Sequence, residues 1–303
     1  MRDCKSGRHS GSPWPAMMES QKNFSPAFSF ELFPPQTLQG IEKLRQTRQL
    51  LAQYRPKFFS VTFGAGGSTR ERTLETVLEI QAEGHVVAPH LSCIGSTQQN
   101  IRSILEKYHD AGIRHIVALR GDLPSGMAQA GEFRYASELV TFIRQEFGAA
   151  FHIEVAAYPE YHPQARSAQT DFDNFRRKVE TGANSAITQY FYNADAYFYF
   201  VETCESAGLD IPIVPGIMPI NKFSQLVRFS DTCGAEIPRW MRRKFEGYGD
   251  DSDSIQAFGL DVVTDLCDRL LKAGAPGLHF YTLNSAQLSI EIWKRLNLSS
   301  KAY

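Results

Sequence analysis

Eight short apolar segments, each about the length of a β-strand, recur along the chain and limit the folds that it can adopt. In chain order they are AFSFEL (27–32), FFSVTF (58–63), HVVAPH (85–90), RHIVALR (114–120), HIEVAA (152–157), NSAITQY (184–190), IPIVPGI (211–217) and GLHFYTL (277–283). Most are nearly continuous in Val, Ile, Leu, Phe and Ala. This composition is typical of strands that are buried on both faces of a parallel sheet.

The segments between these strands have helical periodicity. Two apolar stripes with the spacing i, i+3, i+4 and i+7 are Ile101, Ile104, Leu105 and Tyr108, and Tyr197, Phe200, Val201 and Cys204. Glycine takes the left-handed conformation after a helix without steric cost. It ends the helical pattern six times, at Gly84, Gly112, Gly148, Gly182, Gly208 and Gly274. Eight strands that alternate with helices predict an α/β fold, the (β/α)₈ TIM barrel, with an open doubly wound sheet as the alternative.

Composition indicates a single domain. The 303 residues are 43% hydrophobic with a net charge of −1, so we expect a single domain over 26–303 after a disordered leader over 1–25, in which Met17 or Met18 is an alternative start. The polar segment 236–254 predicts an insertion with a short extra helix. No basic tract predicts nucleic-acid binding, and no run of about 18 apolar residues predicts a membrane span. Five cysteines without a CxxC pair predict neither a disulfide framework nor a zinc site, which favours a cytoplasmic protein.

Barrel enzymes carry their catalytic residues at the carboxyl ends of the strands, and Glu31 ends the first strand. It lies among Phe28, Phe30 and Leu32 in FSFELFPP. Burial there would favour the neutral form of a carboxylic acid, as a general acid requires. Strand alternation leaves open a surface Glu instead, although the following Pro pair restrains the backbone.

Polar residues also follow the other strands. TFGAGGST (62–69) either brings backbone N–H groups to an anion or forms an ordinary turn. His90 ends the third strand, where a lone histidine is more often structural. RGDLP (120–124) predicts an Asp at the barrel mouth with an Arg beside it, and Gln189 ends the sixth strand. Without a Ser/His/Asp order or a His/Glu metal spacing, these residues favour a site for a planar cofactor and a ring-shaped substrate.

A family resemblance is carried by FSFELFPP, FFSVTFGAGGSTRERT, APHLSCIG, GIRHIVALRGDLP, VAAYPEYHPQA, GANSAITQYFYN, IPIVPGIMPI and GLHFYTLN. In this order they resemble the bacterial-type methylenetetrahydrofolate reductase family, from about Phe28 to Asn284. The resemblance implies a (β/α)₈ barrel with non-covalent FAD, and homo-oligomers. It also implies reduction of 5,10-methylenetetrahydrofolate to 5-methyltetrahydrofolate by NADH or NADPH, in a ping-pong reaction that feeds methionine synthesis.

The same resemblance assigns roles to individual residues. Glu31 takes the place of the general acid, and Asp122 that of a carboxylate beside the flavin pyrimidine edge. Gln189, Gln225 and Phe229 fall at substrate-contacting positions, although Phe229 alone would be interpreted as a core residue. FAD-contacting positions are Thr62, His90, Arg120, Gly121, Asp122, Tyr135, Ala136, Ala156, Tyr158, His162, Asp171, Asn174, Arg177 and Lys178.

One position departs from the family. Many members have Arg after FYTLN, where this chain has Ser285, which puts a folate contact from this loop in question. The C-terminal regulatory domain of eukaryotic relatives is not expected. Two other functions stay open: a related flavin barrel of the proline dehydrogenase type, and a flavin-free folate-binding protein.

Overall fold

Parallel strands form the centre of the protein, for which a computed structural model describes residues 18–63, 67–122 and 131–298. The strands in these ranges are β1 (Ala27–Leu32), β2 (Phe58–Val61), β3 (Val87–Ser92), β4 (His115–Leu119), β5 (His152–Ala157), β6 (Ser185–Thr188), β7 (Ile213–Val214), β8 (Gly216–Ile217) and β9 (Gly277–Tyr281). The helices are α1 (Leu38–Ala52), α2 (Gly67–Ala82), α3 (Gln98–Asp110), α4 (Ala136–Phe147), α5 (Ala168–Glu180), α6 (Ala194–Ser206), α7 (Phe223–Cys233), α8 (Arg239–Tyr248), α9 (Ser252–Ala273) and α10 (Gln287–Arg295).

The sheet closes into a barrel. Its strand order is β7-β6-β5-β4-β3-β2-β1-β9-β8, and every described pair is parallel. β7 and β8 are two parts of the predicted seventh strand, separated by Pro215, which has no N–H to donate to a ladder. The first part pairs with β6 and the second with β9, so this segment joins the two ends of the sheet. The TIM barrel is confirmed, and the open doubly wound sheet is excluded because β1 lies between β2 and β9.

The helices follow the predicted pattern. The first apolar stripe lies on α3 and the second on α6, where Tyr197, Phe200, Val201 and Cys204 are all buried. All six predicted glycines have positive φ, from 55° at Gly148 to 112° at Gly182. The short extra helix in the polar segment is α8, whose Phe245 ring packs 5.0 Å from that of Phe258 on α9.

Alternation along β1 separates the helix layer from the barrel interior. Phe28 and Phe30 face outward, with ring centroids 5.1 and 5.9 Å from that of Trp293 on α10. Ser29 and Glu31 therefore point into the barrel. The interior also holds an apolar cluster composed of Phe58, Ala88, Val117 and Ile187.

The amino-terminal segment is part of the domain from Met18 onward. Met18 is buried, and Gln21 lies in a short 3₁₀ helix, Gln21–Asn23. The Gln21 side-chain amide donates to the carbonyl of Ile211 at 3.1 Å and accepts from the N–H of Ile213 at 2.8 Å. Gln21 falls in the segment that the sequence assigns to the leader, and its bonds connect it to Ile211 and to the first residue of β7. Residues 1–17 lie outside the described ranges. Among the described helices, none has both the length and the apolar character to cross a bilayer.

Candidate active site

Glu31 lies inside the barrel at the end of β1, with 6% of its surface exposed. Its Oε2 atom is 3.4 Å from Nε2 of His90 on β3 and 4.0 Å from Nε2 of His279 on β9. Neither of these buried nitrogens has a hydrogen-bond partner in the described structure. The surface position that alternation left open for Glu31 is excluded. Thr282 fixes the backbone here, because its hydroxyl donates to the Glu31 carbonyl at 2.6 Å.

His90, the histidine nearest to Glu31, does not form an ordinary ion pair with it. Burial lowers the pKa of His90, while Glu31 opposes this effect and His279 adds to it. His90 is therefore neutral at neutral pH. His279 forms a 2.7 Å hydrogen bond between its Nδ1 and the hydroxyl of Ser29, two residues before Glu31. Glu31 is thus a buried carboxyl group whose neighbours inside the barrel are His90 and His279.

Ser29, His279 and Tyr281 were missed by the sequence analysis. The signal was present: in FSFEL, Ser29 has the strand face of Glu31, and in GLHFY, His279 and Tyr281 share one face. Tyr281 pairs with Glu31 in the strand register, and its hydroxyl donates to the carbonyl of Thr188 at 2.7 Å. Burial raises the pKa of Tyr281 well above its usual value, and Glu31 adds to the rise.

Arg120 and Asp122 follow β4 at the barrel mouth. Arg120 donates to the carbonyl of Gly121 at 3.2 Å and to the side-chain carbonyl of Gln164. Among the described residues, Arg120 does not form an ion pair with the exposed Asp122. Burial raises the pKa of Tyr158 to about 12, and Asp122 adds to this rise. Asp122 thus lies exposed after β4, and the neighbouring Arg120 is directed to Gln164.

Gly121 makes a close approach to β3. Its φ is +80°, and a Cβ atom at this position would lie 2.8 Å from Cβ of Ser92. A side chain is therefore excluded both by conformation and by space. The flanking predicted residues 123–124, and 64–66 of the glycine-rich segment, lie outside the described residues.

Lys178 on α5 reaches the end of β5. Its ammonium donates to the carbonyl of Ala156. Burial lowers the pKa of Lys178 to about 8, and Asp171 opposes the shift. Asp171 and Lys178 lie two helical turns apart on one face of α5. This lysine is a poorly solvated cation that an anionic ligand would stabilise.

Other predicted cofactor residues surround this helix. Asp171 Oδ2 accepts from the His162 N–H at 2.8 Å, and the His162 ring lies edge-on to Tyr158 with centroids 4.6 Å apart. On α5, Arg177 donates to Asn174 Oδ1 at 3.0 Å. The loop after β5 and helix α5 thus contribute polar side chains to the same region of the site.

The predicted substrate residues lie on two elements. Gln189 follows β6, and its N–H donates to the Ala157 carbonyl at 2.8 Å. Gln225 and Phe229 are half-buried and lie four residues apart on one face of α7. Phe229 packs against the core, with the Arg228 guanidinium 5.5 Å from its ring centroid. The core interpretation of Phe229 is correct for part of its surface, and its substrate role stays a prediction.

Thr62, Tyr135 and Ala136 lie at other points of the same rim. Thr62 follows β2, and its N–H donates to the Leu32 carbonyl at 3.0 Å. Tyr135, 46% exposed, precedes α4, and Ala136 is its first residue. Ser285 lies in the turn after β9, where its N–H donates to the Thr282 carbonyl at 2.9 Å.

Comparison with known proteins decides the family. The family described as methylenetetrahydrofolate reductase matches residues 17–297. The chain belongs to the methylenetetrahydrofolate reductase family. A protein named 5,10-methylenetetrahydrofolate reductase in Escherichia coli K12 is 44% identical over 271 residues, which cover 89% of this chain and 90% of that protein. One of the same name in Buchnera aphidicola from Schizaphis graminum is 39% identical, covering 87% and 89%. This family member is therefore an oxidoreductase, as the names of its relatives state.

Two further similarities are more distant. Methylenetetrahydrofolate reductase (NADH) 1 of Arabidopsis thaliana is 37% identical over 286 residues, which cover 90% of this chain and 48% of that protein. An uncharacterized protein from Clostridium thermocellum, described as binding two copies of 5-methyl-5,6,7,8-tetrahydrofolic acid, matches with a TM-score of 0.62. The match covers 94% of this chain and 99% of that chain at 14% identity, so it supports the fold alone.

Proposed function

We propose that this oxidoreductase binds FAD without a covalent link and reduces 5,10-methylenetetrahydrofolate to 5-methyltetrahydrofolate with NADH or NADPH. The observation that carries the proposal is Glu31, a buried carboxyl group at the end of β1 whose histidine neighbours include the neutral His90. A carboxyl group at the carboxyl end of a barrel strand is placed to act as a general acid toward a bound substrate. The family relationship names a substrate that needs this proton.

Glu31 would protonate a bridging nitrogen of the imidazolidine ring of the folate. The ring then opens to an iminium cation, which is the form that accepts a hydride. Asp122 at the barrel mouth would stabilise this cation through its negative charge. The hydrogen bond between Ser29 and His279 would support the acid, since it fixes the imidazole ring near Glu31.

The residues present suit FAD. Lys178 is a half-buried cation whose pKa is lowered by desolvation, and Arg177 and Asn174 add donors on the same helix, a set that matches a pyrophosphate. The other proposed FAD contacts are Thr62, His90, Arg120, Gly121, Asp122, Tyr135, Ala136, Ala156, Tyr158, His162 and Asp171. FAD held by these residues would supply hydride transfer from the nicotinamide to the folate, in two separate half-reactions, the ping-pong scheme.

Gln189, Gln225 and Phe229 would contact both substrates in turn. An amide offers a donor and an acceptor to a pterin or to a carboxamide, and an aromatic ring stacks on either planar group. A single site for both substrates is consistent with two half-reactions, because neither half-reaction requires the nicotinamide and the folate to be bound at the same time.

The test begins with the absorption spectrum of the purified protein. We expect flavin bands, and acid precipitation should release the chromophore into the supernatant. Anaerobic titration with NADH and NADPH should bleach the bands, and methylenetetrahydrofolate should restore them. A yellow protein that ignores this folate would instead favour a flavin barrel of the proline dehydrogenase type, and a colourless protein that binds folate would favour a binding protein. Either result overturns the proposal. The cytoplasmic location and homo-oligomer stay predictions, the latter measurable by light scattering.

A further inference from the structure

A second polar cluster lies at the amino-terminal end of the barrel, opposite to the end that carries Glu31. His115 begins β4 and His152 begins β5, and the two residues pair in the strand register. Glu154 is two residues further along β5, so its side chain lies on the same face as His152. We propose that His115, His152 and Glu154 form a binding site for a transition-metal dication, Zn²⁺ in preference to Mg²⁺ or Ca²⁺.

The distances between the donor atoms fit such an ion. Glu154 Oε1 lies 3.1 Å from His115 Nε2 and 3.4 Å from His152 Nε2. Ligand atoms at about 2.0–2.1 Å from a tetrahedral Zn²⁺ are roughly 3.3–3.4 Å apart. The three donor atoms all lie within 4.8 Å of one another. His152 has 41% of its side chain exposed, so it can rotate to close the remaining gap.

Glu154 provides a second, independent observation. Its side chain is 5% exposed, and its other oxygen, Oε2, is buried without a hydrogen-bond partner in the described structure. A metal cation would give this buried oxygen a partner, since carboxylate oxygens and imidazole nitrogens are common ligands of metal ions in proteins.

The donor set selects the class of ion. Two imidazole nitrogens and one carboxylate oxygen suit Zn²⁺, Co²⁺ or Ni²⁺, whereas Mg²⁺ and Ca²⁺ require oxygen ligands. Three protein ligands leave a fourth position, which the exposure of His152 opens to solvent.

Two neighbouring groups compete with a metal. Ser185 forms a 2.7 Å hydrogen bond with His152 Nε2, and metal binding must replace this bond. Lys57, at the start of β2, acts on His115 as a like charge, but its side chain is exposed and can turn into water. The sequence predicts no metal site because the three residues lack the spacing along the chain that marks one. The ligands come instead from the adjacent strands β4 and β5, and His115 and His152 are 37 positions apart along the sequence.

The test uses tag-free protein that has been stripped of metal and carries its full chain. Titration with Co²⁺ should give the visible bands of a four-coordinate ion with a stoichiometry of one, and Zn²⁺ should remove them. His152→Gln should weaken Co²⁺ binding by at least about tenfold, since loss of even an outer partner costs 10–100-fold. His85→Gln is the matched control, a partly buried histidine at the same barrel end, and it should bind as the wild type does.

Thermal unfolding keeps the test independent of the flavin and the folate. Added Zn²⁺ should raise the Tm of the wild type and of His85→Gln, and leave that of His152→Gln unchanged. His152 is the exposed ligand, so its variant should fold, as circular dichroism can verify; a variant that does not fold is replaced by His115→Gln in the same titration. Equal Co²⁺ binding by wild type and ligand variants, or none by the wild type, would overturn the proposal and leave a hydrogen-bonded cluster.

Discussion

Glu31→Gln removes the proposed acid while keeping the shape of the side chain. We expect the half-reaction with methylenetetrahydrofolate to fall by about 10²–10⁴-fold, the usual contribution of general acid catalysis. At 1.36 kcal/mol for each factor of ten, this is about 2.7–5.4 kcal/mol of transition-state stabilisation. Reduction of the flavin by NADH or NADPH needs no protonated carboxyl group and should stay close to the wild-type rate. Rapid-reaction kinetics under anaerobic conditions measures the two half-reactions separately.

The same substitution makes a prediction about stability. Breaking a buried ion pair costs about 3–5 kcal/mol, because one charge is left uncompensated. Since burial keeps His90 neutral, Glu31 has no cationic partner here to lose. The free energy of unfolding should therefore change by less than about 1 kcal/mol, the size of one neutral hydrogen bond. Urea unfolding monitored by fluorescence measures it.

Ser60→Ala provides a matched control. Ser60 is buried next to Glu31 in the strand register, and its hydroxyl has no hydrogen-bond partner in the described structure. Its removal should leave both half-reactions unchanged. If Glu31→Gln slows both half-reactions equally, the residue binds cofactor or supports the fold, and the assigned role is wrong. A stability loss of about 3 kcal/mol or more would show instead that His90 is a cation.

Three further predictions concern the cofactor end of the barrel. Asp122→Asn should raise the flavin reduction potential and slow folate reduction, because it removes a negative charge beside the flavin and the folate cation. An interaction worth one pKa unit is about 1.4 kcal/mol. An unchanged or lower potential in a redox titration would place Asp122 away from the flavin. Lys178 has a pKa of about 8, which a bound phosphate would raise. FAD affinity should therefore be highest below pH 8, where Lys178 is charged, and decline above it. Lys178→Met should remove this dependence, and a fluorescence titration in which wild-type affinity ignores pH would contradict the assignment. Gly121→Ala should lower the unfolding free energy by about 1–2 kcal/mol, because φ is +80° and Ser92 is close; an unchanged Tm would show that the turn relaxes.

The barrel was predictable because its signals are local and repeated. Continuous apolar segments mark the strands, and the bounds of β1 and β5 agree with the sequence to the residue. Glycines with positive φ mark the helix ends, as at Gly182. The seventh strand differs from its predicted form because Pro215 divides it in two. Proline has no N–H for the hydrogen-bond ladder, and apolar composition does not predict this break.

The site was predictable only in part. Glu31 was found from its place at a strand end, and its burial follows from the alternation of FSFEL. His279 was missed because its bond to Ser29, 250 positions away, forms only when the barrel closes, and the alternation of GLHFY gives its strand face but not this partner. The His115–His152 pair was missed for a related reason, since strand register, not spacing along the chain, brings the rings together. The roles of Asp122 and Lys178 depended on family resemblance, because an isolated helix face with charges looks like any solvated surface.

The pairing of β1 with β9 has a consequence for how the enzyme is made. Glu31 and the strand that carries His279 lie far apart along the chain, and their register forms only after Gly277–Tyr281 has left the ribosome. Contacts between such distant segments pay their loop-closure entropy late in folding. A nascent chain that still lacks β9 therefore lacks the strand that pairs with β1 at Glu31. On the role proposed for Glu31, catalysis can begin only once β9 has paired with β1.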